Sequence, residues 1–366
     1  MALLAFLLIS CEKDDGIDNS GDPYELTTEI VSIDHENFHV VIQANAKNTD
    51  EYWFYIDEQE LPEEMNSTGL FEYTFEGKGE YSIVIRAYGP SDRYISTTET
   101  ITFQGAGPTP DVPLSRGYSS PLEYDGYQLV WQDEFNDNTI NTSNWDFEIG
   151  DGCPNLCGWG NNELEYYRAE NAYVGDSVLT IEARQESFGG RDYTSARMIS
   201  RGKQSFRYGR IDIRALMPQG QGIWPALWML GNNHNSVGWP KCGEIDIMEM
   251  IGGTENTCHG TAHWDDGQGH ASYGQSTTVS PYSLAEAYHV FSIVWDETSI
   301  SWYVDNERYN ELLTTEAQMS EFHQEFWFIM NVAVGGNWPG NPDASTVFPQ
   351  QMKVDYIRVF QSDTSN

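Results

Sequence analysis

The sequence predicts an all-β protein, on three observations. Apolar runs with period two recur along most of the chain, as in "FHVVIQAN" and "GEYSIVIRAYG". That period marks a strand with one buried face. Turn residues punctuate these runs at strand spacing. Helical periodicity is scarce, with room for short helices only at residues 283–289 and 314–321. Such a set of strands closes as packed sheets or as a barrel.

The chain opens with "MALLAFLLIS", residues 1–10, which is apolar but far too short to cross a membrane as a helix. It fits the hydrophobic core of a secretory signal. "LISC" resembles the lipobox of bacterial lipoproteins, which implies cleavage before Cys11 and acylation of that residue. The following "CEKDD" resembles the acidic export signal of bacterial surface lipoproteins, which implies a lipid-anchored protein of the outer membrane surface. Residues 11–22 are acidic and nearly free of apolar residues, so they read as a flexible tether.

Residues 23–104 read as a small β-sandwich. Phe71, Tyr73 and Phe75 alternate, and Tyr81, Ile83 and Ile85 share one strand face. "GEYSIVIRAYG" resembles a late strand of PKD-type, immunoglobulin-like modules. A spacer role is expected, with sugar binding as the alternative. "GAGPTPDVP" opens a Gly/Pro linker at residues 105–116. Residues 117–362 form a second all-β domain, whose strand-like runs include "YQLVWQDEF", "SVLTIEAR", "YGRIDIRALM", "YHVFSIVWD", "SISWYVDN", "EFWFIMNVAVGG" and "MKVDYIRVF".

A formal net charge of −37 repels nucleic acid and anionic membranes and disfavours strongly sulfated polysaccharides. A neutral partner is the expectation. The aromatic content is 13%, with 12 Trp and 21 Tyr, which suits β-rich cores or a surface that stacks on sugars. A tethered monomer is the default expectation. Besides Cys11 the chain has Cys153, Cys157, Cys242 and Cys258. In an exported protein four cysteines allow three pairings. Proximity and hairpin geometry favour Cys153–Cys157 and Cys242–Cys258.

"GEIDIMEMIG", residues 243–252, places Glu244, Asp246 and Glu249 among Ile and Met. Glu244 and Asp246 share a face of a strand, whereas a regular strand turns Glu249 away. A β-bulge at Met248 restores it, with Ile245 and Ile247 in the core. Two carboxylates flanking a glycosidic bond are the minimal machinery of glycoside hydrolysis. Repulsion among three close acids is expected to push their pKa values apart and so assign their roles. Spacing alone leaves retention and inversion open.

The motif in its bulged form resembles the active-site signature of glycoside hydrolase family 16. "GWGNNELEYY", "TSARM", "GRIDIRALMPQGQGIWPALWML", "HGTAHW" and "NVAVGGNWPG" agree in order. Within the family the set is most similar to bacterial laminarinases, endo-β-1,3-glucanases. The resemblance implies a β-jelly roll of two curved antiparallel sheets with an open cleft. It implies Glu244 as nucleophile, Glu249 as acid/base, Asp246 between them orienting Glu244, and double displacement with retention. No cofactor is needed for that chemistry.

Around the cleft, Trp224 and Trp228 lie four apart, so they share a strand face and suit the apolar faces of glucose. The resemblance implies that Asn161 and Arg197 bind sugar hydroxyls and that His263 lies near the leaving group. It puts Trp338 on a cleft-edge loop. His259 lies four residues before His263, but no third ligand pattern accompanies the pair. The family resemblance also implies a structural calcium held by Glu134 and Asp355. The alternatives are a same-family hydrolase of mixed-linkage glucan or agarose, and a non-catalytic glycan-binding surface lipoprotein.

Overall fold

The computed structural model describes residues 22–34, 38–57, 59, 61–75, 79–91, 93–103 and 109–363. The signal, Cys11 and the tether up to residue 21 lie outside the described residues, as do residues 104–108 of the linker region. The chain divides into two compact units, residues 1–104 and 105–366.

The first unit has two antiparallel sheets. One orders the strands Tyr24–Asp34, His39–Lys47 and Leu70–Thr74; the other orders Glu64–Asn66, Glu51–Ile56, Gly79–Tyr88 and Tyr94–Phe103. Alternation does what the sequence predicts. Val40, Ile42 and Ala44 are buried on one strand, Ile83 and Ile85 on another, with Phe71 and Phe54 stacked between them.

The second unit is also a two-sheet sandwich. Its outer sheet orders Ala172–Gly175, Val178–Ala183, Gln350–Ser362, Gly209–Leu216, His289–Trp295, Ser299–Val304 and Glu307–Leu313, with Tyr127–Asp133 also pairing to Gln350–Ser362. Its cleft sheet orders His270–Thr278, Thr257–Asp265, Glu244–Glu249, Ile223–Gly231, Phe326–Val334, Arg197–Ile199 and Asp146–Glu148. The core lies between them: Ile211 and Ile213 from the outer sheet meet Leu227, Met229 and Ile245 from the cleft sheet. All-β architecture and packed sheets are as the sequence predicts. Of the two helix windows, 314–321 overlaps a 3-10 turn at Ala317–His323, and 283–289 forms no helix.

Polar residues on the outer face of Gly209–Leu216 are buried and paired. Arg210 bonds Asp212 at 2.8 Å, and Arg214 bonds Asp355 at 2.6 Å. This bears on the expected calcium. Glu134 accepts two hydrogen bonds from Arg358, at 2.7 and 2.9 Å. Asp355 is engaged by Arg214. A hard cation needs oxygen lone pairs converging on one point. Here each carboxylate has its own guanidinium as countercharge, Arg358 for Glu134 and Arg214 for Asp355.

The cysteine expectation is half corrected. Cys153 and Cys157 form a disulfide, while Cys242 and Cys258 are free and buried. The hairpin register explains this. Glu244 pairs with His263 and Glu249 with His259, so the turn is centred near residue 254. Continuing that register puts Cys242 opposite Asp265, about seven residues and ~20 Å along the strands from Cys258. That is well beyond the reach of a disulfide.

Candidate active site

The carboxylate strand, Glu244–Glu249, sits between the histidine strand, Thr257–Asp265, and the tryptophan strand, Ile223–Gly231. The predicted bulge is present, and its register places the extra residue at Ile247–Met248. Asp246 pairs with Trp228 and Met248 with Leu227, so Ile247 has no partner of its own. On the other side Glu244, Asp246 and Glu249 face His263, Thr261 and His259. Without the bulge Glu249 would lie opposite Cys258, whose side chain is in the core. Ile245, Ile247 and Met248 all pack into that core. Trp302 of the outer sheet donates its indole N–H to the Asp246 carbonyl at 2.8 Å, pinning the bulge from behind.

The three acids open onto a cleft of about 650 Å³. Every sequence-predicted catalytic and sugar-binding residue lines it: Asn161, Arg197, Trp224, Trp228, His263 and Trp338, with the three carboxylates. Trp224 donates to Glu249 Oε1 at 3.0 Å. Trp228 donates to Asn331 Oδ1 at 2.8 Å. The Arg197 guanidinium lies 4.7 Å from the ring centres of both Trp159 and Trp228, and its Nε donates to Glu148 at 2.7 Å. It is therefore both an ion-pair member and a cleft residue. Trp338 is 41% exposed and meets Trp224 edge to face.

The loop that follows the Cys153–Cys157 bridge brings Asn161 and Glu163 to the cleft wall. It turns through left-handed backbone at Gly158 (φ 62°) and Trp159 (φ 51°). The first position suits glycine; at the second an indole tolerates the strain while facing Arg197. Asn161 donates to Glu163 at 3.0 Å, and Tyr167 donates to the other oxygen of Glu163 at 2.9 Å. Asn331 donates to Tyr167 at 3.1 Å, so one network ties the loop to Trp228.

Behind it, Glu165 is fully buried and its Oε2 accepts from the Val334 N–H at 2.6 Å. Burial, and then Glu163, hold its carboxyl well above the usual range. Its other oxygen, Oε1, has no hydrogen-bond partner among the described residues. Glu165→Gln keeps a donor and an acceptor and should leave the melting temperature within a few degrees of wild type. Glu165→Met leaves the Val334 N–H orphaned, an expected loss of about 1–3 kcal/mol, readable by thermal denaturation.

Burial is the first cause that raises all three carboxyls, each to about 8. Asp246 adds repulsion to Glu244 and Glu249, while His263 pulls both down. Burial moves all three in the same direction, so roles are assigned from hydrogen bonding. Between pH ~4 and ~8 the folded chain holds protons that the unfolded chain releases. Stability contributed by these groups is therefore present below about pH 4 and lost as pH rises towards 8. Asp246→Asn should flatten the fall in melting temperature between pH 5 and 8.5; an unchanged slope would assign the burial effect elsewhere.

Several cleft residues went unread in the sequence: Trp159, Glu163, Trp239, His270 and Asn331. Asn331 carried a signal, a lone amide inside the apolar run "FWFIMNVAV". The others depend on loop placement and strand pairing.

With the geometry in view, comparison with known proteins is informative. The sequence pattern of the glycosyl hydrolases family 16 matches residues 159–358. The chain is 43% identical over 252 residues to the Beta-glucanase of Rhodothermus marinus, covering 64% of this chain and 85% of that protein. It is 38% identical over 284 residues to Glucan endo-1,3-beta-glucosidase A1 of Niallia circulans, covering 69% of this chain but 41% of that protein. The solved laminarinase catalytic domain of Thermotoga maritima MSB8 superimposes with a TM-score of 0.61 at 50% identity, over 64% of this chain and 98% of that one.

Proposed function

The chain belongs to glycosyl hydrolase family 16, and from that premise we propose that it cuts internal β-1,3-glucosidic bonds of a neutral, laminarin-type glucan by double displacement. The observation that carries this reading is the presence of Glu244 and Glu249 on one face of a cleft walled by Trp224, Trp228 and Arg197.

Trp224 donates to Glu249 Oε1, so that oxygen accepts and the transferable proton sits on Oε2. Glu249 gives that proton to the glycosidic oxygen as the Glu244 carboxylate attacks the anomeric carbon. The C–O bond breaks, and the leaving sugar departs as an alcohol. Ionised Glu249 then takes a proton from water, whose oxygen displaces Glu244 from the glycosyl ester with net retention. The burial that raises these carboxyls also strengthens each charge interaction in the cleft.

The signal and "CEKDD" support export and lipid attachment at Cys11, and the first unit is best taken as a spacer of the immunoglobulin-like kind. The test is hydrolysis of laminarin, barley mixed-linkage glucan and agarose, with products separated by size. Laminarin cut to short oligosaccharides supports the reading. Agarose cut instead keeps the mechanism and replaces the substrate. Laminarin bound by folded protein but left uncut would make it a glycan-binding protein.

A further inference from the structure

His270 opens the edge strand His270–Thr278 and is solvent-exposed, yet it touches the catalytic centre through one neighbour. Its Nε2 lies 2.9 Å from His263 Nδ1. His263 Nε2 in turn lies 3.1 Å from Asp246 Oδ2 and 3.7 Å from Glu244 Oε1. The two imidazoles are near-parallel, 27° apart with centres at 5.1 Å. Trp239, 48% exposed, closes over the outer side of His270 with ring centres 4.5 Å apart. The charged groups around the pair are Asp246 and Glu244 on the carboxylate strand and Asp265, the cross-strand neighbour of His270.

A neutral imidazole has one donor nitrogen and one acceptor nitrogen. Asp246 is 3% exposed, and apart from the off-axis approach of His263 its Oδ2 has no hydrogen-bond partner. Once Asp246 is ionised, its orphaned buried oxygen is unfavourable, and an N–H on His263 Nε2 relieves it. The neutral ring carries that N–H only when Nδ1 is the acceptor. The group facing Nδ1 is His270, so its Nε2 must be the donor. Burial, and then His263, hold His270 below the usual histidine range, consistent with a neutral ring carrying one N–H.

We propose that His270 is a positioning residue that fixes His263 in the tautomer donating from Nε2 to Asp246, and thereby holds Asp246 in place beside Glu244. The role is indirect: His270 acts through His263. Trp239 serves the same end by limiting rotation of the His270 ring. The inference rests on the hydrolase reading for its kinetic consequence but not for its tautomer.

The full-length chain, labelled with ¹⁵N at histidine, is compared as wild type, His270→Phe and His270→Gln. Phe keeps a ring against Trp239 and removes the nitrogen; Gln supplies an amide donor at similar reach. Wild type should show neutral His263 protonated at Nε2 near pH 9, where Asp246 is ionised. His270→Phe should show mixed tautomers and a laminarin kcat about ten- to a hundredfold lower, with KM changed much less. His270→Gln should restore both. An Nδ1–H or doubly protonated His263 in wild type overturns the proposal. So does a His270→Phe variant with unchanged tautomer and kcat, or a folded His270→Gln that behaves like Phe. If wild type cuts no β-glucan, the hydrolase reading fails, and the tautomer then decides this inference by itself.

Discussion

Replacing Glu244 with alanine should abolish glucan hydrolysis, by about 10⁴-fold or more, as for other covalent nucleophiles. The residue lines the cleft, 17% exposed at the side chain, with Asp246 and His263 beside it. The decisive version adds azide to an activated β-glucoside substrate. In Glu244→Ala, azide takes the place of the missing nucleophile and one displacement yields the α-glycosyl azide. In Glu249→Ala the glycosyl ester still forms, and azide opens it to the β-glycosyl azide, since azide needs no general base. Product configuration, read by proton NMR, thus assigns the two roles separately. Identical anomers from both variants would sink the double-displacement reading, and swapped anomers would exchange the two residues.

Arg197→Met should be the costliest single change in the cleft wall. The guanidinium bonds Glu148 at 2.7 Å and lies between two indoles. Arg201 also reaches Glu148, at 3.1 Å, so the carboxylate is not left wholly uncompensated. The lost charged hydrogen bond and two cation–π contacts sum to about 3 kcal/mol, or ~6–12 °C in melting temperature for a unit of this size. KM for laminarin should rise as well, because Trp159 and Trp228 lose the wedge that spaces them. Arg197→Lys keeps charge but not the planar double stack, and should recover less than half of the stability. Full recovery by lysine would show that charge alone matters there.

Much of this site was legible because the chemistry sits on strands. Alternation placed Trp224 with Trp228 on one face, and the conflict between acidic residues and apolar flanks exposed the bulge. Trp239 and His270 were harder. One is on a loop and the other begins an edge strand, and only long-range pairing brings them to His263. Cys242 and Cys258 misled for a related reason. Closeness in sequence means closeness in space only when the hairpin turn lies midway between two residues, and here it does not. Beside Glu134 and Asp355 stand two arginines that the sequence reading did not pair with them. Half-buried carboxylates are stabilised by a countercharge, and Arg358 and Arg214 supply it.

The bulge also carries a lesson in parity. Glu244 and Glu249 are an odd number of residues apart, and the strand hides one residue on its core side to make that odd count behave as even. A chain lacking Met248 would span the same ground with an ordinary strand, and the second glutamate would again lie opposite His259. The loss would fall on core volume, as a methionine-sized void between the sheets. Spacings of four and five are therefore two spellings of one geometry. A substitution that turns an acid from its place is a graver change in this strand than a missing residue.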